Sequence, residues 1–238
     1  LTAALEGIKA PDLRGASLKG RRFAMINTVF MDGLRDAPKA AFNRAVARLE
    51  AAGATIDVIE VAAVQEALDV SGPLITCEAY GLWRDVIESA PEKMYEEILR
   101  RFRLGRDFSG PDYVSAWARL DAARQAYDQA TAGYDAILAP TSAILAPELE
   151  RLNSDPDYYV TENLMALRNT RIGNLLGLCA LTLPTGVPSW GLLPKRRCHR
   201  CPKSHKRCRY IGFFLDGGRR FKLPCYKRGD NDPDPRQF

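Results

Sequence analysis

Between residues 21 and 61 an apolar run, a helical run and a second apolar run follow one another with little chain between them. "RRFAMINTV" begins straight after the "LKG" turn, and "APKAAFNRAVARLEAAG" then sets Phe42, Val46 and Leu49 at helical spacing. Pro38 suits a first helical turn and Gly53 a C-terminal cap. "TIDVIEV" follows, with Ile56 and Val58 alternating towards a branched end at Ile59 to Val61, which reads as a strand. Strand, helix and strand joined this tightly imply a right-handed crossover and a parallel pair, because an antiparallel partner would need no helix between. The expected fold class is therefore α/β.

The spacing of apolar residues predicts further helices over 72–88, 92–103 and 112–132, the last with Tyr113, Trp117, Leu120 and Tyr127 on one face. "YDAILAPT" predicts a buried strand that stops at Pro140, since proline cannot donate to a ladder. A loop through Pro147 and Pro156 is expected next, then a helix from Thr161 with Thr161 or Asn163 as its cap. That helix runs into "RNTRIGNLLGLCALTLPTG", read as a helix end, a glycine hinge and a short buried strand closed by Pro184.

Composition matters at one point, because the chain changes character near its end. Residues 189–238 carry 14 Lys and Arg against 4 Asp and Glu, whereas the preceding 188 carry 20 against 25. Alanine occurs 31 times up to Ala180 and not once afterwards, and both histidines and four of the six cysteines fall in the basic segment. The two regions need separate readings, with the division expected at 1–193 and 194–238. No apolar run approaches the roughly 18 to 20 residues that span a bilayer. The first residues, "LTAALEGIKAPDLRG", do not read as a basic-then-apolar leader, so the expectation is a cytoplasmic protein without membrane contact.

The body restricts its own chemistry. Residues 1–188 contain no histidine, which excludes a Ser-His-Asp or Cys-His mechanism there. Cys77 and Cys179 sit among apolar neighbours and read as small buried hydrophobes. "LGRDFSGPDY" lacks the phosphate-cradling GxxxxGK[ST] pattern, and no GxGxxG follows a strand. Glu78, Asp85 and Glu88 recur at helical spacing as a solvated face, and Trp83 and Trp117 read as core or pocket wall.

Two segments carry a resemblance. "YDAILAPTSAILAP" (134–147) resembles the amidase signature family's segment of an aspartate, a buried strand, a Pro-Thr pair and an apolar loop ending Ala-Pro. "RNTRIGNLLGLCALTLPTG" resembles that family's later helix, Asn-x-x-Gly turn and strand ending Pro-x-Gly. Their order and spacing agree, as do "EAYGLWRD" and the "DYVSAWARLDAARQAY" helix, over about residues 18–193.

The resemblance implies part of that family's α/β fold, a mixed sheet flanked by helices with an irregular tail beyond it, and hydrolysis of carbon–nitrogen amide bonds in small non-peptide amides. The family's lysine acts through a bridging serine on a nucleophilic serine, needing neither histidine, metal nor cofactor. That lysine and the Gly-Ser-rich loop would lie N-terminal to what is seen here. Ser71, Ser109, Ser142 and Ser154 are singletons beside turns, so no catalytic residue is assigned in this chain and it is expected to be an inactive C-terminal portion. The same resemblance makes Arg124, Thr141, Asn169, Thr170 and Asn174 candidates for contacting substrate. For Arg124 a surface position, and for the other four the satisfaction of buried backbone groups, is the competing reading.

In the tail, Cys198, Cys201, His205 and Cys208 have spacing that could hold zinc, and the surrounding Lys and Arg would suit nucleic acid. The alternative is a shifted reading frame, in which alanine codons become arginine, cysteine and proline codons. That reading accounts for the lost alanine and is preferred, leaving a tail expected to be largely disordered, with no metal assigned and nucleic acid disfavoured as a partner. "YIGFFLDGG" is the one tail run apolar enough to add a strand to an exposed edge.

Overall fold

The computed structural model describes residues 15–183 and 185 and the backbone of 211–215. The first unit is as expected: β1 (Arg22–Ile26), α1 (Asp36–Ala51) and β2 (Thr55–Ile59), with β1 and β2 parallel and in register from Arg22 opposite Thr55 to Ile26 opposite Ile59. Gly53, at φ +97°, takes the left-handed conformation that lets the chain turn out of α1 into β2.

Four helices follow: α2 (Ala62–Asp69), α3 (Ser71–Ser89), α4 (Glu96–Arg103) and α5 (Gly110–Thr131). The helix expected over 92–103 is shorter, because a 3-10 turn at Pro91–Lys93 precedes it and Met94 and Tyr95 are extended. Ser109 begins α5 as half of a capping box: its hydroxyl accepts from the Asp112 N–H, and Asp112 accepts from the Ser109 N–H. Between α4 and α5, Gly105 packs against α3 so closely that an added Cβ would lie 2.1 Å from the Thr76 carbonyl oxygen.

The strand β3 (Ala136–Ala139) is wholly buried and pairs parallel with β1, Phe23 opposite Ala136. The stretch expected as a loop through Pro147 and Pro156 instead holds α6 (Leu149–Ser154), and α7 (Pro156–Leu175) starts five residues before Thr161. The cap is neither Thr161 nor Asn163. The Asp155 carboxylate accepts from the Tyr158 N–H at 3.0 Å, and Pro156 occupies the first turn, where a missing N–H costs nothing.

β4 (Cys179–Leu183) and β5 (Ile211–Leu215) complete a five-stranded sheet in the order β2-β1-β3-β5-β4. β5 is antiparallel to both β3 and β4. Residues 211–215 of the "YIGFFLDGG" run thus do form a strand, seated between two others and not at an exposed edge. β4 exists where expected but is not buried: all five of its residues are exposed. The four tail residues read for zinc, Cys198, Cys201, His205 and Cys208, lie outside the described residues.

Alternation along β1 and β3 divides the core into two layers. Phe23, Ala136 and Leu138 face α1, packing with Phe42 and Ala45. Ala24, Ile26, Ile137 and Ala139 face the other way, against Val64 of α2, Leu120 and Tyr127 of α5 and Ile172 of α7. The face of α5 predicted from spacing is the one used, with Tyr113 and Trp117 at its partly buried end, edge to face at 6.4 Å. Among the described residues no helix is long and apolar enough to cross a membrane.

Candidate functional site

Three helices converge beyond the core and leave a cleft of about 230 Å³ between them. From α5 come Trp117, Leu120 and Arg124, spaced three and four residues apart and so on one face. From α7 come Arg171, Asn174 and Leu175, and from α3 come Leu74 and Glu78. The apolar members make the floor, while the guanidinium groups, the amide and the carboxylate stand around it.

The C-terminus of α7 is built so that this corner stays open but ordered. Gly177 is left-handed at φ +69°, its N–H donates to the Asn174 carbonyl at 3.1 Å, and the Leu178 N–H donates to the Gly173 carbonyl at 2.9 Å. This paired closure is the Schellman arrangement, and it is the physical form of the glycine hinge. Arg124 adds a third link, donating from Nε to the Leu175 carbonyl at 2.8 Å, which places a cation at the negative end of the helix. The same guanidinium is held by Asp121 at 3.0 Å and lies 5.4 Å from the centre of the Trp117 ring. Arg124 is therefore fixed in place, with its charge matched.

Arg171 differs. It is half-buried, and among the described residues it makes no hydrogen bond or ion pair. Burial pushes its pKa down, and Arg101 pushes it further the same way. Arg101 itself donates to the Asn163 side chain at 3.0 Å. Glu78, which lines the same cleft, accepts from the Tyr113 hydroxyl at 2.8 Å.

Of the five candidates from the sequence, the structure brings Arg124 and Asn174 together in this cleft. Thr141 and Asn169 lie elsewhere, at the C-terminal ends of the parallel strands. Asn169 is fully buried and donates from one nitrogen to the Phe30 carbonyl at 3.0 Å and the Pro140 carbonyl at 2.7 Å, tying the chain after β1 to the chain after β3. Its oxygen accepts from Arg168 at 3.2 Å. Thr141 sits 3.5 Å from the Thr182 hydroxyl of β4. Thr170 is exposed and bonds back to the Leu167 carbonyl of its own helix. Near Asn169, the buried Glu162 carboxylate receives both Arg35 nitrogens, one at 2.9 Å, and so clips the start of α1 to α7.

Sequence reasoning passed over Arg171, although it stands three residues before Asn174 and hence on the same helical face. Other expectations are corrected. Cys179 is exposed and Cys77 is half-buried, so neither is a fully buried hydrophobe. Burial, with Asp112 and Glu78 nearby, raises the Cys77 thiol pKa and keeps it protonated. Trp83 is exposed, whereas Trp117 does form pocket wall. Among the described residues no three His, Cys, Asp or Glu side chains gather as a metal site.

Comparison with known proteins agrees with this architecture. The family model described as Amidase matches residues 8–194. A 2-amino-5-chloromuconic acid deaminase of Comamonas testosteroni is 28% identical over 184 residues, covering 76% of this chain and 39% of the relative. An amidase of Pseudomonas putida is 27% identical over 180 residues, again with 39% of its length matched. The chain thus spans about two fifths of these curated relatives. Among solved structures, selenomethionine-substituted Kluyveromyces lactis allophanate hydrolase superimposes with a TM-score of 0.69 at 20% identity, over 90% of this chain and 34% of that one. A crystal structure of an amidase gives 0.63 at 19% identity, over 91% and 46%. With the family model spanning the whole of the α/β body from before β1 to beyond β4, the chain belongs to the amidase family.

Proposed function

We propose that this chain is part of a hydrolase of carbon–nitrogen bonds in small non-peptide amides. In this reading it supplies the wall formed by α3, α5 and α7, and the reacting groups come from elsewhere in the whole protein. The observation that carries the reading is the family match over 8–194, which takes in every helix lining the cleft. Three further facts support it. The cleft is small and apolar-floored with a few converging polar groups, the usual make-up of a small-molecule site. Residues 1–188 hold no histidine, which suits a lysine- and serine-based mechanism. One relative is named for deamination of an amino-substituted acid, a carbon–nitrogen bond in a small molecule.

Within the cleft, Asn174 offers both a donor and an acceptor, matching an amide, and Arg124 keeps Trp117 and the end of α7 in fixed relation. Thr141 and Asn169 serve this reading as parts that hold the strand ends in place, and Thr170 is the candidate least connected to it. The division at 193/194 belongs to the same proposal, one residue short of where the family match ends, at 194.

Two preparations test the function. The 238-residue chain should release no ammonia from acetamide, benzamide or indoleacetamide, because the sequence contains no Gly-Ser-rich loop to provide a nucleophile. The same chain expressed with the coding sequence upstream of Leu1 should release it, and should stop when the nucleophilic serine found there is changed to alanine. Ammonia release by the 238-residue chain itself, surviving purification to constant specific activity, would overturn the assignment of catalysis to other residues.

A further inference from the structure

The seam between α3 and α5 opens a second time at its outer end, where the 3-10 turn Leu104–Asp107 and the start of α5 leave a groove of about 460 Å³. Its apolar walls are Leu82 of α3, Phe108 and Tyr113. A side chain at Gly81 or Gly110 would meet nothing within 4 Å, so both glycines add width. That volume lies within the range of small-molecule sites, and such walls suit an organic ligand better than a free ion.

The groove is also one-sided in charge. Glu78 lines it, and among the described residues no lysine, arginine or histidine does. The Tyr113 hydroxyl donates to Glu78 Oε1 at 2.8 Å, but no cation among the described residues pairs with that carboxylate. Arg124, in the neighbouring cleft, is held by Asp121 and the Leu175 carbonyl instead. The other polar side chains of the groove are already engaged. The Ser109 hydroxyl donates to the Asp112 carboxylate at 2.6 Å and accepts the Asp112 N–H at 3.2 Å, and the Cys77 thiol donates to the Gly105 carbonyl at 3.5 Å. Burial raises the pKa of that thiol, and Asp112 and Glu78 raise it further, as they must where the local potential is negative. What is left over is Glu78 Oε2, an acceptor with no partner among the described residues. A single carboxylate oxygen suits the point charge of an ammonium and not the paired donors of a guanidinium. Aromatic rings such as those of Phe108 and Tyr113 attract the same charge.

We infer that this groove binds a primary ammonium carried on a short apolar body, with Glu78 as its charged contact and Leu82, Phe108 and Tyr113 around the body. Glu78 lines both openings of the seam, but the ammonium site lies at the outer one and does not rest on the amide-hydrolase reading.

The test is a calorimetric titration of the 238-residue chain at low salt with phenethylammonium and, separately, with phenethyl alcohol, which carry the same body with and without the charge. The ammonium should bind about fivefold more tightly, as expected of an ion pair at a partly open site with aromatic neighbours. Glu78→Gln, which keeps an acceptor for Tyr113, should bring the two affinities together while leaving that of the alcohol unchanged, and Glu78→Asp should retain part of the preference. Phe108→Ala should weaken both ligands alike, because it removes groove wall and no wall of the cleft around Asn174. Circular dichroism spectra matching the parent show that the variants are folded; should Glu78→Gln fail to fold, the parent pair and Phe108→Ala still decide. Equal affinity of the parent chain for the two ligands overturns the inference. So does an undiminished preference in Glu78→Gln, or a Phe108→Ala chain that binds both ligands as the parent does.

Discussion

β3 and β4 are strands of one sheet with similar apolar sequences, "AILA" and "CALTL", yet all four residues of the first are buried and all five of the second are exposed. β3 lies between β1 and β5, with α1 over one face and α5 and α7 over the other. Among the described residues β4 ends the sheet, paired only with β5, and Leu181 and Leu183 stand 53% and 41% exposed. Apolar alternation therefore specifies that a strand forms, whereas burial depends on what other parts of the fold lay over it.

The sharpest way to break this comparison is truncation in both strands. Leu138→Ala should cost about 3 kcal/mol, since it empties a fully packed position, while Leu181→Ala should stay within about 0.5 kcal/mol. Urea unfolding of the two variants measures both, and comparable losses would mean that β4 is covered after all. Next in size is the link between the strand ends. Asn169→Ala leaves the Phe30 and Pro140 carbonyls without their shared donor and should cost about 2 kcal/mol, also read from urea midpoints. If the loss falls below about half a kcal/mol, Asn169 is not what joins the ends of β1 and β3, and a role towards ligand becomes its better explanation.

The smallest effect is that of acid on the helical side. Hydrogen bonds from the Ser109 side chain and then its backbone N–H lower the pKa of Asp112, the Tyr158 N–H lowers Asp155, and Arg103 lowers Glu88. Each carboxylate is ionised more readily folded than unfolded, so its contribution is present above the ordinary carboxylate range and fades as pH falls through the depressed folded values. None of the three is buried and all are screened, so the shift should be modest. Melting followed between neutral pH and pH 3 should fall on the acid side, and Asp112→Asn should flatten part of that fall. A parent profile that is flat or rises towards acid contradicts the assignment.

Much of the architecture was legible from local pattern. The β1-α1-β2 unit, the stop of β3 before Pro140 and the apolar face of α5 all follow from residue spacing and proline chemistry. The start of α7 did not, because Pro156 reads equally as a loop residue or as the first turn of a helix; only the Asp155 cap decides between them. The candidate site was half legible. Arg124 and Asn174 emerged through resemblance, and Arg171 was missed because an arginine amid a polar helical run looks like a solvated one.

The elements and their punctuation were set by neighbours in the chain: alternation along β1, the capping box at Ser109, the left-handed Gly177. These depend on contacts a few residues long, which a sequence carries openly. Tertiary packing alone decided that Arg171 lies half-buried without a counter-charge while Arg124, on the facing helix, has one. Their helices are separated in the chain by two further elements, β3 and α6. Burial and charge balance at such a point are properties of which surfaces meet, and no local pattern records them.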